Sequence, residues 1–335
     1  MNEREIFLKA EDWIKQGLEL AIITVIQTWG SSPRPIGSSM VINSNNEIIG
    51  SVSGGCVESF VFSKALDVLK NNKHLVLEFG VTNSQAWEVG LTCGGKLKVL
   101  IEKFTREDLS TIKKINSIYE NNKKVILASD LHSGERKLIE GNYETIKTTS
   151  LNNLLSEHKN SEQSKILLIE KSEWFLKVFA SQHKIIIIGA VHISEPLIEL
   201  ANILNFKIFL IDPRNNFKNF KSNKNVIFIN EWPDEGLKKV NINNKTSIVT
   251  LTHDPKLDDP ALIFSLRSAA AYIGCLGSRK THVSRIKRLK RNGFSEKELK
   301  KLHGPVGINI NAKTPSEIAC SILSQIIERK NKYDI

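Results

Sequence analysis

The run Lys-Ile-Ile-Ile-Ile-Gly at residues 184–189 is continuous in β-branched residues and ends at Gly189. A strand that is apolar along both faces is typical of the centre of a parallel sheet, because helices cover both sides of such a sheet. A helical pattern follows near Ser194, and a second strand pattern at residues 207–211 ends at Asp212. This strand–helix–strand order predicts a Rossmann-like unit in the C-terminal half.

Further short strand patterns alternate with helical patterns after this unit. Strands are predicted at residues 226–229, 247–251 and 271–275. A helix is predicted to begin at Asp259-Pro260, because Asp caps helices and Pro is tolerated in the first turn. Alternation of this kind predicts an α/β fold with a doubly wound, mainly parallel sheet.

The first half of the chain has a mixed pattern. A helix is predicted at residues 3–18, a strand at residues 20–28, a hairpin around Asn45-Asn46 and a polar helix at residues 103–122. We therefore expect three segments. They are a mixed α+β N-terminal domain at residues 1–105, a polar middle segment with hairpins at residues 106–182, and a Rossmann-like domain at residues 183–335.

The chain is basic, with a formal net charge of +11 and an isoelectric point of about 9.3. Such a charge suits an anionic ligand, an acidic partner or nucleic acid. The basic residues are dispersed, however, and no zinc finger or stripe of basic and aromatic residues accompanies them. We therefore interpret the charge as solvated surface and expect no nucleic-acid binding.

The four cysteines, Cys56, Cys93, Cys275 and Cys320, are far apart and form no CxxC pair. That spacing does not predict a zinc site. The N-terminal residues do not resemble a signal peptide, and no apolar run is long enough to span a bilayer. We therefore expect a cytoplasmic protein with reduced thiols and no membrane contact.

The candidate ligand groups of the N-terminal half centre on Cys56, which follows Gly54-Gly55 and precedes a helical pattern. The glycines let a ligand approach the main chain, and the N–H groups at a helix start favour a thiolate, which attacks electrophiles or binds metals. The alternative is an inert, buried cysteine, as free cysteines often are. Upstream, Arg34 lies between two prolines in a stiff loop suited to an anion. Cys93 lies beside a second Gly-Gly turn, so the two thiols are candidates to share one sulfur-rich ligand.

The candidate ligand groups of the C-terminal half follow the ends of predicted parallel strands, where open α/β sheets bind ligands. They are Gly189, His192, Asp212, Arg214, His253, Asp254, Gly277, Ser278 and Arg279. Asp212 lies 23 positions after Gly189, which suits a ribose-binding carboxylate, although a strand-end turn residue fits equally. The turn formed by Gly277, Ser278 and Arg279 predicts a phosphate cradle at a helix start, with a plain helix cap as the alternative.

Val191 stands where the dinucleotide fingerprint has its second glycine. That glycine normally lets the pyrophosphate touch the main chain, and a branched side chain obstructs this approach. We therefore expect weak NAD binding. The fold prediction is unaffected, because it rests on the order of strands and helices.

Several motifs together resemble one protein family. They are residues 24–42, Gly-Gly-Cys-Val-Glu at 54–58, Leu-Thr-Cys-Gly-Gly at 91–95, Ile-Asp-Pro-Arg at 211–214, residues 272–279 and Gly-Pro-Val-Gly at 304–307. This set is similar to the XdhC/CoxI family, which comprises accessory proteins for xanthine dehydrogenase and related molybdenum hydroxylases. Val191 departs from the family, whose members commonly have glycine at that position.

The resemblance implies a maturation factor that binds the molybdenum cofactor (molybdopterin), supports its sulfuration with a cysteine desulfurase, and delivers it to a hydroxylase of the xanthine dehydrogenase type. It implies a cofactor-binding chaperone more than a catalyst, acting as a homo-oligomer such as a dimer. Under this interpretation Cys56 contacts the cofactor molybdenum or its transferable sulfur, and Cys93 is a secondary candidate. Two other classes remain open: an NAD(P)-dependent oxidoreductase that uses the Rossmann-like domain, and a basic nucleic-acid-binding protein.

Overall fold

The structure is a computed structural model that describes residues 2–30, 34–55, 57–80, 96–121, 124–140, 163–169, 171–214 and 225–333. The chain divides into two compact units, Met1–Ser181 and Gln182–Ile335. No helix within the described ranges is both long enough and apolar enough to cross a bilayer.

A five-stranded antiparallel sheet forms the centre of the first unit. Its strands are β1 (Leu20–Trp29), β2 (Ser39–Asn43), β3 (Ile48–Gly50), β4 (Leu75–Phe79) and β5 (Lys96–Phe104). They lie in the order β3-β2-β1-β5-β4. The pairing of β2 with β3 confirms the predicted hairpin.

Helices cover both faces of this sheet. They are α1 (Glu3–Lys15), α2 (Glu58–Asn71) and α3 (Leu109–Asn121), and a short 3-10 turn at Arg106–Asp108 precedes α3. Successive side chains of a strand point to opposite faces, so β1 contributes to two cores. Leu20 and Ile22 pack with α1 and α3, whereas Ala21 and Ile23 pack with α2.

The polar helix predicted at residues 103–122 begins later, at Leu109, so its predicted start is wrong. β5 continues to Phe104, whose side chain is buried in the core that α1 and α3 share. Thr105 then caps the 3-10 turn by accepting the N–H of Glu107. Burial of the Phe104 side chain therefore keeps the end of β5 in the strand, and α3 begins later than predicted.

A second antiparallel sheet lies in the same unit. Its strands are β6 (Val125–Asp130), β7 (Arg136–Glu140), β8 (Lys165–Ile169) and β9 (Ser172–Phe179), in the order β7-β6-β9-β8. Phe179 at the end of β9 packs edge-on against Phe7 of α1, with ring centroids 4.9 Å apart. This contact joins the second sheet to the core of the first.

The second unit contains a six-stranded parallel sheet, which confirms the predicted architecture. Its strands are β10 (Lys184–Ile188), β11 (Lys207–Ile211), β12 (Val226–Ile229), β13 (Thr246–Thr250), β14 (Tyr272–Cys275) and β15 (Leu302–His303). Their order is β12-β11-β10-β13-β14-β15. The direction of winding reverses at β10, and such a reversal point is where open α/β sheets bind ligands.

Helices flank both faces of this sheet, which makes it doubly wound. They are α4 (Ser194–Ile203), α5 (Pro233–Lys238), α6 (Pro255–Leu266), α7 (Arg279–Arg291), α8 (Glu296–Leu299) and α9 (Pro315–Tyr333). Ile185 and Ile187 pack with α4 and α9, while Ile186 and Ile188 pack with α5 and α6. The isoleucine run is unbroken because both faces of β10 are buried.

The helix predicted to begin at Asp259-Pro260 begins earlier, at Pro255, so this prediction is wrong. The stretch contains two Asp-Pro pairs, and the earlier pair starts the helix: the Asp254 carboxylate accepts a backbone N–H of the first turn at 2.9 Å. Pro260 lies inside the helix. Asp259 instead accepts a hydrogen bond from Arg288 Nη2 at 2.9 Å. Local capping chemistry suits both pairs equally, so the sequence does not decide between them.

Candidate functional site

The loop between β3 and α2 is folded around the carboxylate of Glu58, the first residue of α2. The N–H groups of Ser53, Gly54 and Gly55 lie 2.9, 3.0 and 2.8 Å from its oxygens. The Ser51 hydroxyl donates to it at 2.8 Å. Gly54 and Gly55 have φ angles of +78° and +123°, which favour glycine and let successive N–H groups point at one acceptor.

Glu58 is ionised in this arrangement. Burial alone would raise its pKa, but hydrogen bonds from Ser53, Ser51 and the loop backbone outweigh burial and lower the pKa to about 2. The Val57 N–H also donates to this carboxylate, at 3.3 Å. A carboxylate of the chain itself therefore occupies N–H groups that we expected to stabilise a thiolate. Glu58 was not among the predicted site residues, although a glutamate directly after Gly-Gly-Cys-Val is a visible signal.

The two cysteines of the predicted site, Cys56 and Cys93, lie outside the described residues, and their roles stay predictions. Of the other two, Cys320 is exposed and Cys275 is buried. Burial raises the pKa of the Cys275 thiol to about 11, although Arg285 opposes the shift, so this thiol is protonated and inert at neutral pH. In the part of the chain that the structure describes, no three His, Cys, Asp or Glu residues cluster as a metal site would require.

Arg34 lines a pocket of about 320 Å³ next to the Glu58 loop. The other lining residues come from α1, from the β1–β2 loop and from the hairpin: Glu3, Ile6, Pro35, Ser38, Ser39, Gly50 and Ser51. Ser51 connects the pocket to the loop, because its hydroxyl donates to Glu58 and accepts the Gly54 N–H at 3.0 Å. The structure thus places Arg34 and Ser51 around one concave surface, whose volume is in the range of small-molecule sites, and the Gly54-Gly55 turn is linked to it through Ser51.

A buried ammonium group lies behind this pocket. Lys177 of β9 is 4% exposed, and its Nζ pairs with the Glu3 carboxylate at 3.0 Å and donates to the Ser39 hydroxyl. Its Nζ also lies 4.9 and 5.1 Å from the ring centroids of Phe7 and Phe179. Burial lowers the pKa of Lys177, although the Glu3 carboxylate opposes the shift. Lys177 therefore holds the side chains of Glu3 and Ser39, which line the pocket, in place from the protein interior.

Lys177 also lines an internal cavity of about 10 Å³ together with Glu102 of β5. Glu102 is 5% exposed, and among the described residues its Oε1 has no hydrogen-bond partner. Burial raises the pKa of Glu102, although the charge of Arg136 opposes the shift. The volume suits a single internal water, and the polar side chains of Thr24, Glu102, Ser129 and Lys177 in the lining could bind it.

In the second unit, the predicted residues follow the carboxyl ends of parallel strands. Gly189, Asp212, His253 and Gly277 come after β10, β11, β13 and β14. A Cβ added to Gly189, whose φ is +104°, would lie 2.4 Å from Thr252 Cγ2. The turn after β10 therefore contacts the loop after β13 closely enough to require glycine.

Asp212 is fully buried and engaged by its own neighbours. Its Oδ2 accepts the Ala190 N–H at 2.7 Å, and the Arg214 guanidinium donates to both oxygens, Nε at 2.9 Å and Nη2 at 2.6 Å. Burial alone would raise the pKa of Asp212, but the bonds from Arg214 and Ala190 outweigh it and lower the pKa. Val191 in the adjoining turn packs against the hydrophobic core. This geometry favours the turn-residue interpretation of Asp212 over ribose binding.

The remaining predicted residues of this edge are exposed: His192, His253, Asp254, Ser278 and Arg279. Asp254 caps α6, and Ser278 caps α7 by accepting the Thr281 N–H at 3.1 Å. The Ser278 hydroxyl is thus used as a helix cap. Arg279 places an exposed guanidinium in the first turn of α7.

A buried ion pair connects two loops of this edge. Asp258 Oδ2 lies 3.5 Å from Arg285 Nη2, and both residues are 1% exposed. Asp258 Oδ1 accepts the Thr252 hydroxyl at 2.6 Å, and Arg285 Nη2 donates to the Leu276 carbonyl at 2.8 Å. The pair therefore holds the loops after β13 and β14. The sequence did not predict this pair, because nothing in a run of basic residues marks one arginine as buried.

Comparison with known families decides the relationship. The family description "XdhC Rossmann domain" matches residues 185–326, and "XdhC and CoxI family" matches residues 13–80. The chain belongs to the XdhC/CoxI family. The resemblance inferred from the motifs is thereby confirmed. Arg34 and the Gly54-Gly55 turn lie in the N-terminal XdhC/CoxI match, and the edge from Gly189 to Arg279 lies in the C-terminal one.

Relatives cover nearly the whole length of this XdhC/CoxI chain. A protein of Bacillus subtilis (strain 168) named as a probable xanthine dehydrogenase subunit is 25% identical over 327 residues, which is 95% of each chain. "Molybdenum cofactor insertion chaperone PaoD" of Escherichia coli (strain K12) is 23% identical over 325 residues, 97% of this chain and 88% of the relative. A crystal structure described as a xanthine dehydrogenase from Bacillus halodurans has the same fold, with a TM-score of 0.80, 23% identity and coverage of 99% and 96%.

Proposed function

We propose that this chain is an accessory factor for a molybdenum hydroxylase of the xanthine dehydrogenase type. It binds the molybdenum cofactor as cargo, supports its sulfuration and promotes its insertion into the enzyme. The names of two relatives, an insertion chaperone and a xanthine dehydrogenase subunit, support this role. The observation that carries the proposal is the pocket of about 320 Å³ lined by Arg34 and by Ser51, whose hydroxyl accepts the Gly54 N–H.

The pocket residues fit an anionic, ring-containing cargo. Arg34 supplies a guanidinium, which binds phosphate and other oxyanions through several N–H groups. Ile6 and Pro35 supply apolar walls, and Ser38 supplies a hydroxyl. Arg34 binds the anionic group in this proposal. The thiols of Cys56 and, secondarily, Cys93 are soft donors for the molybdenum or its transferable sulfur.

Two partners belong to the same proposal. A cysteine desulfurase supplies the sulfur, because a thiol of this chain that gave up its own sulfur would be consumed. The hydroxylase receives the loaded cofactor. The factor acts as a homodimer in this scheme, and sedimentation analysis of the purified chain measures that property directly.

The sheet edge of the second unit has a separate part in the proposal. Arg279 and the first turn of α7 bind a phosphate-bearing group there, while NAD binds weakly. The paired carboxylate of Asp212 and the packed side chain of Val191 support weak NAD binding. Calorimetry with NAD tests this point: tight binding that survives Arg279→Ala would contradict it and favour an NAD(P)-dependent oxidoreductase.

Metal and pterin analysis tests the main proposal. The wild-type protein and Arg34→Ala are purified from cells that make the cofactor, and molybdenum and pterin fluorescence are measured per chain. We expect the wild type to carry both and Arg34→Ala to carry much less. Arg291→Ala, which removes an exposed arginine at the end of α7, is the matched control and should load normally. Wild-type protein that carries neither molybdenum nor pterin would contradict the proposal.

A further inference from the structure

We infer that Glu58 is the positioning residue of the Gly54-Gly55 turn. Its carboxylate occupies the anion position at the start of α2, so the turn is shaped by the chain's own anion. The N–H groups of the turn are therefore not available to bind the anionic group of the cargo. Arg34 binds that group instead. This last consequence rests on the proposed function, whereas the role of Glu58 in shaping the turn does not.

The geometry is that of an anion-binding turn in which a carboxylate of the chain itself occupies the anion position. Successive N–H groups that converge on one point after a strand, at the start of a helix, usually bind a phosphate or sulfate. Here the N–H groups of Ser53, Gly54 and Gly55 converge on Glu58 within 3.0 Å. Each of these three donors already has an acceptor.

Glu58 is not an ordinary helix cap. In a capping box the glutamate is the third residue of the helix and reaches back to the cap residue. Glu58 is instead the first residue of α2, and it accepts hydrogen bonds from residues upstream of the cap residue Val57. Val57 itself contributes no side-chain cap. The carboxylate thus organises the preceding loop as well as the helix end.

The charges around the pocket lead to the same conclusion. Ser51 lines the pocket, but its hydroxyl donates to Glu58, so the proton is already used by that carboxylate. The Lys177 ammonium lies behind the wall, where it pairs with Glu3, which lines the pocket. Arg34 is the cation that lines the pocket itself, among the described residues. An anionic ligand is therefore bound by a side chain here, and a second anion at the turn would meet the charge of Glu58.

Hydrogen exchange of the segment at residues 51–58 tests this inference. In Glu58→Ala we expect exchange of the turn amides to rise by about tenfold or more, since a hydrogen bond to a charged group is worth roughly 1.5–3 kcal/mol. Sodium formate should slow this exchange again, because formate replaces the missing carboxylate, and inorganic phosphate should do the same. Neither anion should protect the turn in the wild type.

Two variants keep the experiment interpretable. Glu58→Gln keeps the side-chain shape and should give an intermediate exchange rate, which covers the case that Glu58→Ala does not fold. Glu78→Ala removes an exposed glutamate of β4 in the same unit and should leave the turn unchanged. Turn exchange that is unaltered in both Glu58 variants would overturn the inference. Equal effects of formate and of sodium chloride at matched ionic strength would overturn it as well.

The test separates this inference from the proposed function. Wild-type protein without molybdenum or pterin refutes the function but leaves the exchange results standing. Normal turn exchange in Glu58→Ala, together with a loaded wild type, refutes the inference alone. If both hold, Arg34→Ala should lose cofactor with normal turn exchange, and Glu58→Gln should lose cofactor with faster turn exchange.

Discussion

Replacement of Arg285 by methionine is expected to destabilise the second unit strongly. The substitution leaves Asp258, which is 1% exposed, without its cation and leaves the Leu276 carbonyl without a donor. Removing one partner of a buried ion pair costs roughly 3–5 kcal/mol. We expect the lower end, about 3 kcal/mol, because the paired atoms are 3.5 Å apart and Asp258 keeps the Thr252 hydroxyl at 2.6 Å.

The cost of Arg285→Met should depend on pH. Burial already raises the pKa of Asp258 above its ordinary value, although Thr252 and Arg285 oppose the shift, and loss of Arg285 raises it further. The folded state then binds a proton more tightly than the unfolded state. The contribution of this proton binding to the free energy of unfolding is fully present below the unfolded pKa of about 3.9. It is lost as pH rises through the folded pKa. The variant should therefore be closer to wild type at pH 5 than at pH 8.

Urea-dependent hydrogen exchange of peptides from β13 and β14 measures the free energy of unfolding of this unit without interference from the other. Asp258→Leu combined with Arg285→Met should recover most of the loss, because a buried ion pair is often replaced by apolar groups at little cost. Arg288→Met is the control, since its pair with Asp259 is partly exposed and worth about 1 kcal/mol or less. Equal losses in Arg285→Met and Arg288→Met, or a double variant worse than the single one, would refute this reasoning.

Three other predictions concern the turns at the two candidate sites. The folded pKa of Glu58, about 2, is below its unfolded value. The contribution of the ionised carboxylate to stability is therefore present above pH 4.5 and is lost as pH falls through 2. The difference in melting temperature between wild type and Glu58→Gln should accordingly be larger at pH 7 than at pH 2.5. Arg214→Ala removes the bidentate partner of buried Asp212, and thermal melting should show clear destabilisation, unlike the exposed control Arg291→Ala. Val191→Gly restores the fingerprint glycine but leaves Asp212 paired, so calorimetry should show only a small gain in NAD affinity; tight binding would mean that Val191 alone obstructs the nucleotide.

The sheet of the second unit was predictable because its signal is local. Four isoleucines in succession, residues 185–188, need a strand that is covered on both faces, and the flanking helices supply those faces. The start of α6 was not predictable, because two Asp-Pro pairs offer the same capping chemistry. The choice between them depends on where β13 ends, which is a property of the assembled sheet.

The polar contacts of the candidate sites depend on residues that are distant in sequence or on backbone groups. Arg285 is one of several basic residues in α7, and its burial against Asp258 of α6 and the Leu276 carbonyl distinguishes it. Lys177 and Glu3 are far apart in the chain and meet because β9 packs beside α1. Glu58 was visible as a residue, but its partners are mostly main-chain N–H groups, which no residue pattern encodes.

The tethered carboxylate of Glu58 has a consequence for handover. A group attached a few residues away acts at a high effective concentration and does not have to be captured from the medium. Under the proposed function, the Gly54-Gly55 turn would therefore keep its shape with or without cargo, and binding of cargo would require no ordering of the turn. Release of cargo would likewise leave the turn folded, so the release rate would be set by the contacts of the cargo itself. A site built in this way suits a protein that passes its ligand on more than one that stores it.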